Sequence, residues 1–382
     1  MRVAIVHYWL VSMRGGENVV EALCRIFPEA DIFTHVYDPA KISGSIRKHK
    51  IVPTFIDSLP RARRYYKSYL PLMPLALEQI DLRGYDLIIS SESGPAKGIV
   101  PPAGALHICY CHSPMRYVWN MFHDYRENAG LAARLLMPPL CHYLRNWDAV
   151  AAMRVDRFIA NSTTVAARIS KYYRRDAAVI HPPVAVERFE PVPEAEVEDY
   201  YLFAGELVAY KRPELAIEAF NALGQRLVVI GGGELLPKIR KLAGPSITVL
   251  GQQPFEVMRH YYSHCRALIF PGEEDFGIVP VEVMASGRPV IAFGRGGLTE
   301  SVIGGLTGLF FEEQTVPAIA RAVRKFERMK FDPVAIRAHA EKFRTERFLT
   351  SFAAAVEEAA NGAGGRPELR HAALSGPAAS HG

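Results

Sequence analysis

Two glutamates eight positions apart, Glu274 and Glu282, bracket the pair Phe276-Gly277 within the run from Pro271 to Val290. A strand-like run, Arg266 to Phe270, precedes this segment, and a second, Pro289 to Phe293, follows it. The pattern predicts strand, loop, helix and strand, with the loop at the carboxyl end of a strand, where open α/β sheets bind ligands. The backbone N–H groups of Gly277, Ile278 and Val279 would open the helix and favour a phosphate. Carboxylates accept hydrogen bonds and suit hydroxyl groups. Together these groups ask for a ligand that is both phosphorylated and rich in hydroxyls, as a nucleotide-sugar is. Acids in a first helical turn also complement the helix dipole. On that reading Glu273, Glu274 and Asp275 merely cap, and Glu282 is a surface residue.

The elements that would position these residues are legible along the chain. A strand over residues 2–7 leads to Gly15-Gly16 and an apolar-periodic helix from Glu17 to Phe27. A glycine pair ahead of a helix lets backbone N–H groups approach a ligand, although alone it reads as a turn. Further strands are predicted at 32–34, 87–90, 106–110, 157–160, 201–204, 226–230, 248–250 and 268–270. Their alternation with helices argues a doubly wound, mainly parallel α/β sheet. At 382 residues the chain suits two domains. We read 1–188 as an N-terminal domain and the acidic, proline-bearing stretch 189–199 as a linker. A second α/β domain occupies 200–345, a helix at 346–360 packs back, and 361–382 is a disordered tail. The turn Ile230-Gly-Gly-Gly-Glu234 lacks the full G-x-G-x-x-G spacing of a dinucleotide fingerprint.

Composition narrows the setting. With 49% hydrophobic and 22% charged residues the chain is an ordinary globular protein. No leader peptide and no apolar run of membrane-spanning length are visible. The five cysteines, 24, 109, 111, 141 and 265, have no metal-ligand spacing and read as buried thiols of a reducing, cytosolic protein. Residues 41–70 carry eight basic residues and one acid. Within them Arg61, Arg63, Arg64, Tyr65, Tyr66, Lys67 and Tyr69 interleave cations with aromatics, which suits contact with an anionic membrane surface. A solvated helix face is the alternative. Nucleic acid is disfavoured, because the charge is local and no binding motif accompanies it.

The run around the paired glutamates resembles the E-x7-E motif of the retaining family-4 glycosyltransferases. It includes the Phe-Gly after the first Glu and the Met284-Ala-x-Gly-x-Pro-Val290 after the second. Further blocks resemble the same family in order. They are Gly15-Gly16-Glu17, Cys111-His112-Ser113-Pro114-Met-Arg116-Tyr-Val-Trp119, Ala160-Asn161-Ser162, Val179-Ile-His-Pro-Pro-Val184, Ala204-Gly205-Glu206-Leu-Val-Ala-Tyr-Lys211-Arg212, Gly296-Gly297-Leu-Thr-Glu300 and Gly305-Leu-Thr-Gly308. The resemblance implies a GT-B fold: two Rossmann-like domains facing a cleft, the second holding the donor and the first the acceptor, with a C-terminal helix crossing between them.

The resemblance also implies roles. Glu282 accepts both ribose hydroxyls, and Glu274 sits against the hydroxyls of the donor sugar. Lys211, with Arg212 nearby, neutralises the diphosphate leaving group, assisted by the amides of Gly277, Ile278 and Val279. His112, which alone would read as a structural histidine, borders the donor sugar and the reaction centre. Gly15 and Gly16 belong to the same nucleotide-sugar site. Where the family usually carries a second phosphate-binding Arg this chain has Glu206, so Arg212 or another cation would substitute, or phosphate would bind more weakly. No cofactor or metal is implied, and no Asp-x-Asp motif occurs.

The expected activity is retaining transfer of mannose from GDP-mannose to a polyprenyl-diphosphate-linked oligosaccharide, in bacterial exopolysaccharide or O-antigen assembly. The enzyme would work in the cytoplasm, peripherally on the inner membrane face. A UDP-sugar donor, a catalytically silent nucleotide-binding scaffold and a nicotinamide-dependent oxidoreductase are the competing readings.

Overall fold

Val3–His7 reads Val-Ala-Ile-Val-His and is buried along its whole length, as expected of a strand in a parallel sheet covered on both faces. It is β1 of a seven-stranded sheet. The others are β2 Asp31–Thr34, β3 Ile51–Pro53, β4 Leu87–Glu92, β5 Leu106–Cys111, β6 Arg157–Ala160 and β7 Ala177–Val179. All pairs are parallel, in the order β3-β2-β1-β4-β5-β6-β7. A second sheet holds β8 Tyr201–Ala204, β9 Leu227–Ile230, β10 Ile247–Gly251, β11 Leu268–Phe270, β12 Val290–Phe293 and β13 Gly308–Phe311. Its order is β10-β9-β8-β11-β12-β13, again wholly parallel. In both sheets the chain runs to one edge and then reverses, between β1 and β4 and between β8 and β11. Those reversals open a crevice at the carboxyl ends of the strands. The doubly wound α/β architecture expected from the sequence is present twice.

This computed structural model describes residues 1–127 and 129–362. They form two units, Met1–Pro183 with the stretch from Phe348 onward, and Val184–Arg347. The division falls a few residues before the boundary expected at 188, because Val184, Val186 and Phe189 are buried in the core of the second unit. The stretch 189–199 is no free linker either. Glu194 pairs with Arg288 at 3.1 Å and Asp199 with Arg266 at 3.2 Å, which straps it to the second unit. The C-terminal run is broken rather than continuous. The helix Pro333–Ala340 belongs to the second unit, while Phe348, Phe352 and Val356 of the helix Thr345–Gly362 enter the core of the first. Asn361 and Gly362, expected in the tail, end that helix, and the rest of the tail lies outside the described residues.

Three strands escaped the sequence. β3 and β7 are three-residue edge strands with mostly accessible side chains, so neither carries a buried apolar run. β13 opens on a glycine, a residue that weakens a strand signal. The five cysteines are all buried and unpaired.

Candidate functional site

In the second unit the loop after β8 folds into a short turn, Ala209–Lys211, and Arg212 then takes a left-handed backbone with φ of 52° ahead of the helix Pro213–Leu223. A non-glycine residue in that region is held against its preference, by roughly 1–3 kcal/mol, and such residues gather at functional sites. The loop leaving β11 reaches the same place. A Cβ on Gly272 would stand 2.6 Å from the Lys211 Cα, so only glycine lets the two loops meet backbone to backbone. A Cβ on Gly231, at the end of β9, would likewise overlap the Gly205 carbonyl oxygen. Close packing of strand ends, rather than dinucleotide binding, accounts for the glycines after β9.

On this scaffold Lys211 Nζ lies 3.1 Å from Glu274 Oε1, with both side chains mostly buried. The pair is one of charge only, since the alignment is too poor for Glu274 Oε1 to count as hydrogen-bonded. The ammonium also lies 5.9 Å from the Phe270 ring centroid, within reach of a cation–π attraction. Lys211 and Glu274 therefore stand together at the reversal between β8 and β11. Any anion drawn to Lys211 competes with Glu274 for it.

Gly277, with φ of 89°, caps the helix Ile278–Ala285, and Ile278 and Val279 form its first turn. The left-handed cap requires glycine. Glu282 lies about one turn further on. Burial pushes its carboxyl up to about 7, and the Arg188 charge and the Tyr262 hydroxyl only partly offset this. Neither Arg188 nor Tyr262 carried any signal in the sequence, because they approach from a distant turn and a neighbouring helix.

In the first unit His112 and Gly16 flank Tyr8. Gly15 and Gly16 form the first turn of the helix Gly15–Ile26 rather than preceding it. A Cβ on Gly16 would overlap the Tyr8 hydroxyl, and the Tyr8 and His112 rings meet edge to face at 6.5 Å. His112 Nε2 lies 2.8 Å from Ser91 Oγ, which lies 3.1 Å from His7 Nδ1. Burial, reinforced by His112, holds His7 well below the ordinary histidine range, so it is neutral. A neutral His7 with Ser91 between the rings restricts which nitrogen of His112 carries its proton.

Behind this relay lies an ion cluster that sequence reasoning missed. Lys97 Nζ lies 2.8 Å from Glu92 Oε1 and also contacts Asp148 Oδ1, and all three side chains are fully buried. Trp119 Nε1 and the Tyr173 hydroxyl donate to Asp148 Oδ2 at 2.7 and 2.8 Å. Burial pulls Lys97 down, but Asp148 and then Glu92 outweigh it and hold the ammonium above its usual range. Glu92 and Lys97 are close in sequence, but Asp148 comes from a helix 51 positions beyond Lys97, so no local pattern completes the cluster.

The residues read as a membrane or acceptor surface divide. Arg61, Arg63, Arg64, Tyr65 and Lys67 are exposed. Tyr66 packs on Trp9 at 4.7 Å, and the Tyr69 hydroxyl donates to the Pro60 carbonyl at 2.9 Å. Those two rings serve the local fold. Among the described residues no helix is long and apolar enough to cross a membrane.

Known proteins share this architecture. A family model described as Glycosyltransferase Family 4 matches residues 13–188, and one described as Glycosyl transferases group 1 matches residues 186–343. D-inositol 3-phosphate glycosyltransferase of Streptomyces coelicolor is 31% identical over 245 residues, 52% of this chain and 53% of that protein. An uncharacterised glycosyltransferase of Methanocaldococcus jannaschii is 35% identical over 120 residues, 30% of this chain and 34% of its own. The chain thus spans about half the length of the first of these relatives and a third of the second. Among solved structures, a sucrose-phosphate synthase from Thermosynechococcus elongatus has a TM-score of 0.68 at 19% identity, covering 94% of this chain and 99% of its own. HepE from Anabaena, solved with UDP and glucose, also scores 0.68, at 14% identity, with the same two coverages. At such identities the structures speak for the fold.

Proposed function

From a chain that belongs to the GT-B glycosyltransferases, we propose an enzyme that moves a sugar from a nucleotide donor with retention of configuration. The observation that carries this reading is the Lys211–Glu274 pair, set on backbone-to-backbone glycine contacts at the strand reversal of the second unit. Lys211 neutralises the diphosphate as the glycosidic bond breaks and negative charge grows on the leaving oxygen. Arg212 and the amides of Gly277, Ile278 and Val279 assist. Glu274, released from Lys211 by the incoming phosphate, accepts hydrogen bonds from the sugar hydroxyls. Glu282 accepts the two ribose hydroxyls. His112, steadied by Ser91, serves the reacting sugar, with Gly15 and Gly16 giving its neighbourhood a close backbone approach.

The leaving phosphate oxygen takes the acceptor proton in a same-face attack, and no covalent sugar–enzyme bond forms. A glycosyl adduct trapped on Glu274 would overturn that step. GDP-mannose is the proposed donor, and a polyprenyl-diphosphate-linked glycan at an anionic membrane face the proposed acceptor. A UDP-sugar is the second reading for the donor. For the acceptor a small phosphorylated polyol is the second reading, favoured by the name of the Streptomyces relative. Calorimetric titration with GDP and with UDP decides the donor base: tighter UDP binding sinks the GDP proposal. Product analysis with a panel of nucleotide-sugars and both acceptor types decides the rest. Transfer that survives Glu274→Ala unchanged would remove the assigned chemistry.

A further inference from the structure

The helix Leu131–Ala152 of the first unit is apolar on two opposite faces. Its inner face sends Met137, Leu140, Cys141 and Leu144 into a cluster with Met115 and Val118. At roughly 100° per residue the outer face groups Leu131, Leu135, Leu136, Tyr143 and Val150, all exposed and the three leucines 77%, 68% and 66% so. His142 and Asn146 are the polar members of that face, and it carries no charge. A second apolar face turned away from the helix's own cluster asks for a cover of protein or lipid, and leucines this exposed mark an interaction surface.

What covers that face is indicated by its neighbour. Leu70 packs into the same cluster as Met137 and Leu140, so the short helical turn Tyr66–Leu72 lies beside the helix. Lys67 lies within that turn and Arg61, Arg63 and Arg64 just before it, all four exposed and forming no ion pair among the described residues. Leu72 and Leu75 extend the apolar surface and are 41% and 51% exposed. An exposed apolar helix face, with exposed cations on the segment that packs beside the same helix, matches an anionic bilayer, with leucines at the acyl boundary and cations among the phosphates. A second copy of this chain fits worse, because a two-fold contact sets the same surface against itself and opposes like charges.

We propose that the outer face of Leu131–Ala152 inserts into the headgroup–acyl boundary of an anionic membrane, with Arg61, Arg63, Arg64 and Lys67 holding lipid phosphates beside it. The inference deepens the membrane reading above by naming the inserting element, and its test needs no transfer activity. The full chain is sedimented with vesicles of phosphatidylglycerol and phosphatidylcholine, and with phosphatidylcholine alone. Binding is expected on the anionic vesicles, falling with salt. The variant Leu131→Glu/Leu135→Glu/Leu136→Glu is expected to lose at least about tenfold in partition while melting like the parent. Each cation removed from the basic edge should lower partition about fivefold. Leu135→Trp should be quenched by brominated acyl chains. Unchanged partition of the triple variant, an unquenched tryptophan, or loss of self-association with vesicle binding intact would each overturn the proposal. Failure of the glycosyltransferase reading would show separately, as absence of transfer by the parent protein from any nucleotide-sugar of the panel to either acceptor type in detergent, without vesicles.

Discussion

The two units reverse their strand order at equivalent places and fill those places in opposite ways. Between β1 and β4 the space is taken by side chains: Tyr8 lies over Gly16, His7, Ser91 and His112 run in line, and Lys97 is sealed between Glu92 and Asp148. Between β8 and β11 the loops meet backbone on backbone, at Gly272 on Lys211 and Gly231 on Gly205. There the charged groups, Lys211 and Glu274, keep part of their surface. One topology thus yields a site whose charges are spent inward on stability and another whose charges remain available to a ligand. Desolvation decides the difference. A fully buried ion must be answered within the fold, whereas a pair that keeps some solvent costs less to part and is more easily exchanged.

Removing single charges tests that contrast most severely. Lys97→Met should destabilise the first unit by about 3–5 kcal/mol, because Glu92 and Asp148 are left buried without their cation. Urea unfolding reads the loss, and a change below about 1 kcal/mol would mean the cluster is not answering itself. Lys211→Met strands a carboxylate that keeps some solvent, so it should cost less stability than Lys97→Met and lower transfer by about 100- to 1000-fold in kcat. If it unfolded the protein as Lys97→Met does, the two sites would not differ in the way argued.

Proton binding sharpens the comparison further. Glu282 has a folded value of about 7 against an ordinary 4.5, so between those limits the folded state holds more protons and stability falls as pH rises. Above about 7 the carboxylate is ionised and ready for ribose hydroxyls. Nucleotide affinity should therefore rise with pH and level off above about 8, losing about sixteenfold between pH 7 and 5.5. Titration calorimetry across that range checks it, and Glu282→Gln should flatten the profile. The smallest effect belongs to the relay of the first unit. Ser91→Ala, which uncouples His7 from His112, should lower kcat about fivefold and shift its pH profile. A fall in stability with an unmoved profile would make Ser91 merely structural.

How much of this was legible follows from how local each signal is. The paired glutamates, the cap at Gly277 and the buried strands lie in short continuous runs, and sequence patterns report such runs well. The cation at Lys211 was legible only through its surrounding block, and its partnership with Glu274 is a tertiary fact. Gly272 carried no signal, since what it admits is the backbone of a residue sixty-one positions earlier. The tie of Lys97 to Asp148, 51 positions later, was invisible for the same reason. The outer face of Leu131–Ala152 was hidden differently: with apolar residues on two opposite faces, periodicity does not say which side meets the core.

The helix Thr345–Gly362 has one further consequence. Phe348, Phe352 and Val356 fill the core of a unit whose other residues end at Pro183. Val184 N donates to Phe343 O at 3.0 Å, so the start and the close of the second unit lie side by side. On the ribosome, domains generally fold from the amino terminus as they emerge. This chain withholds the last layer of its first unit until the whole second unit has been synthesised. The nascent first half must wait with an open apolar surface, and it is the second unit, encoded without interruption, that is equipped to finish first.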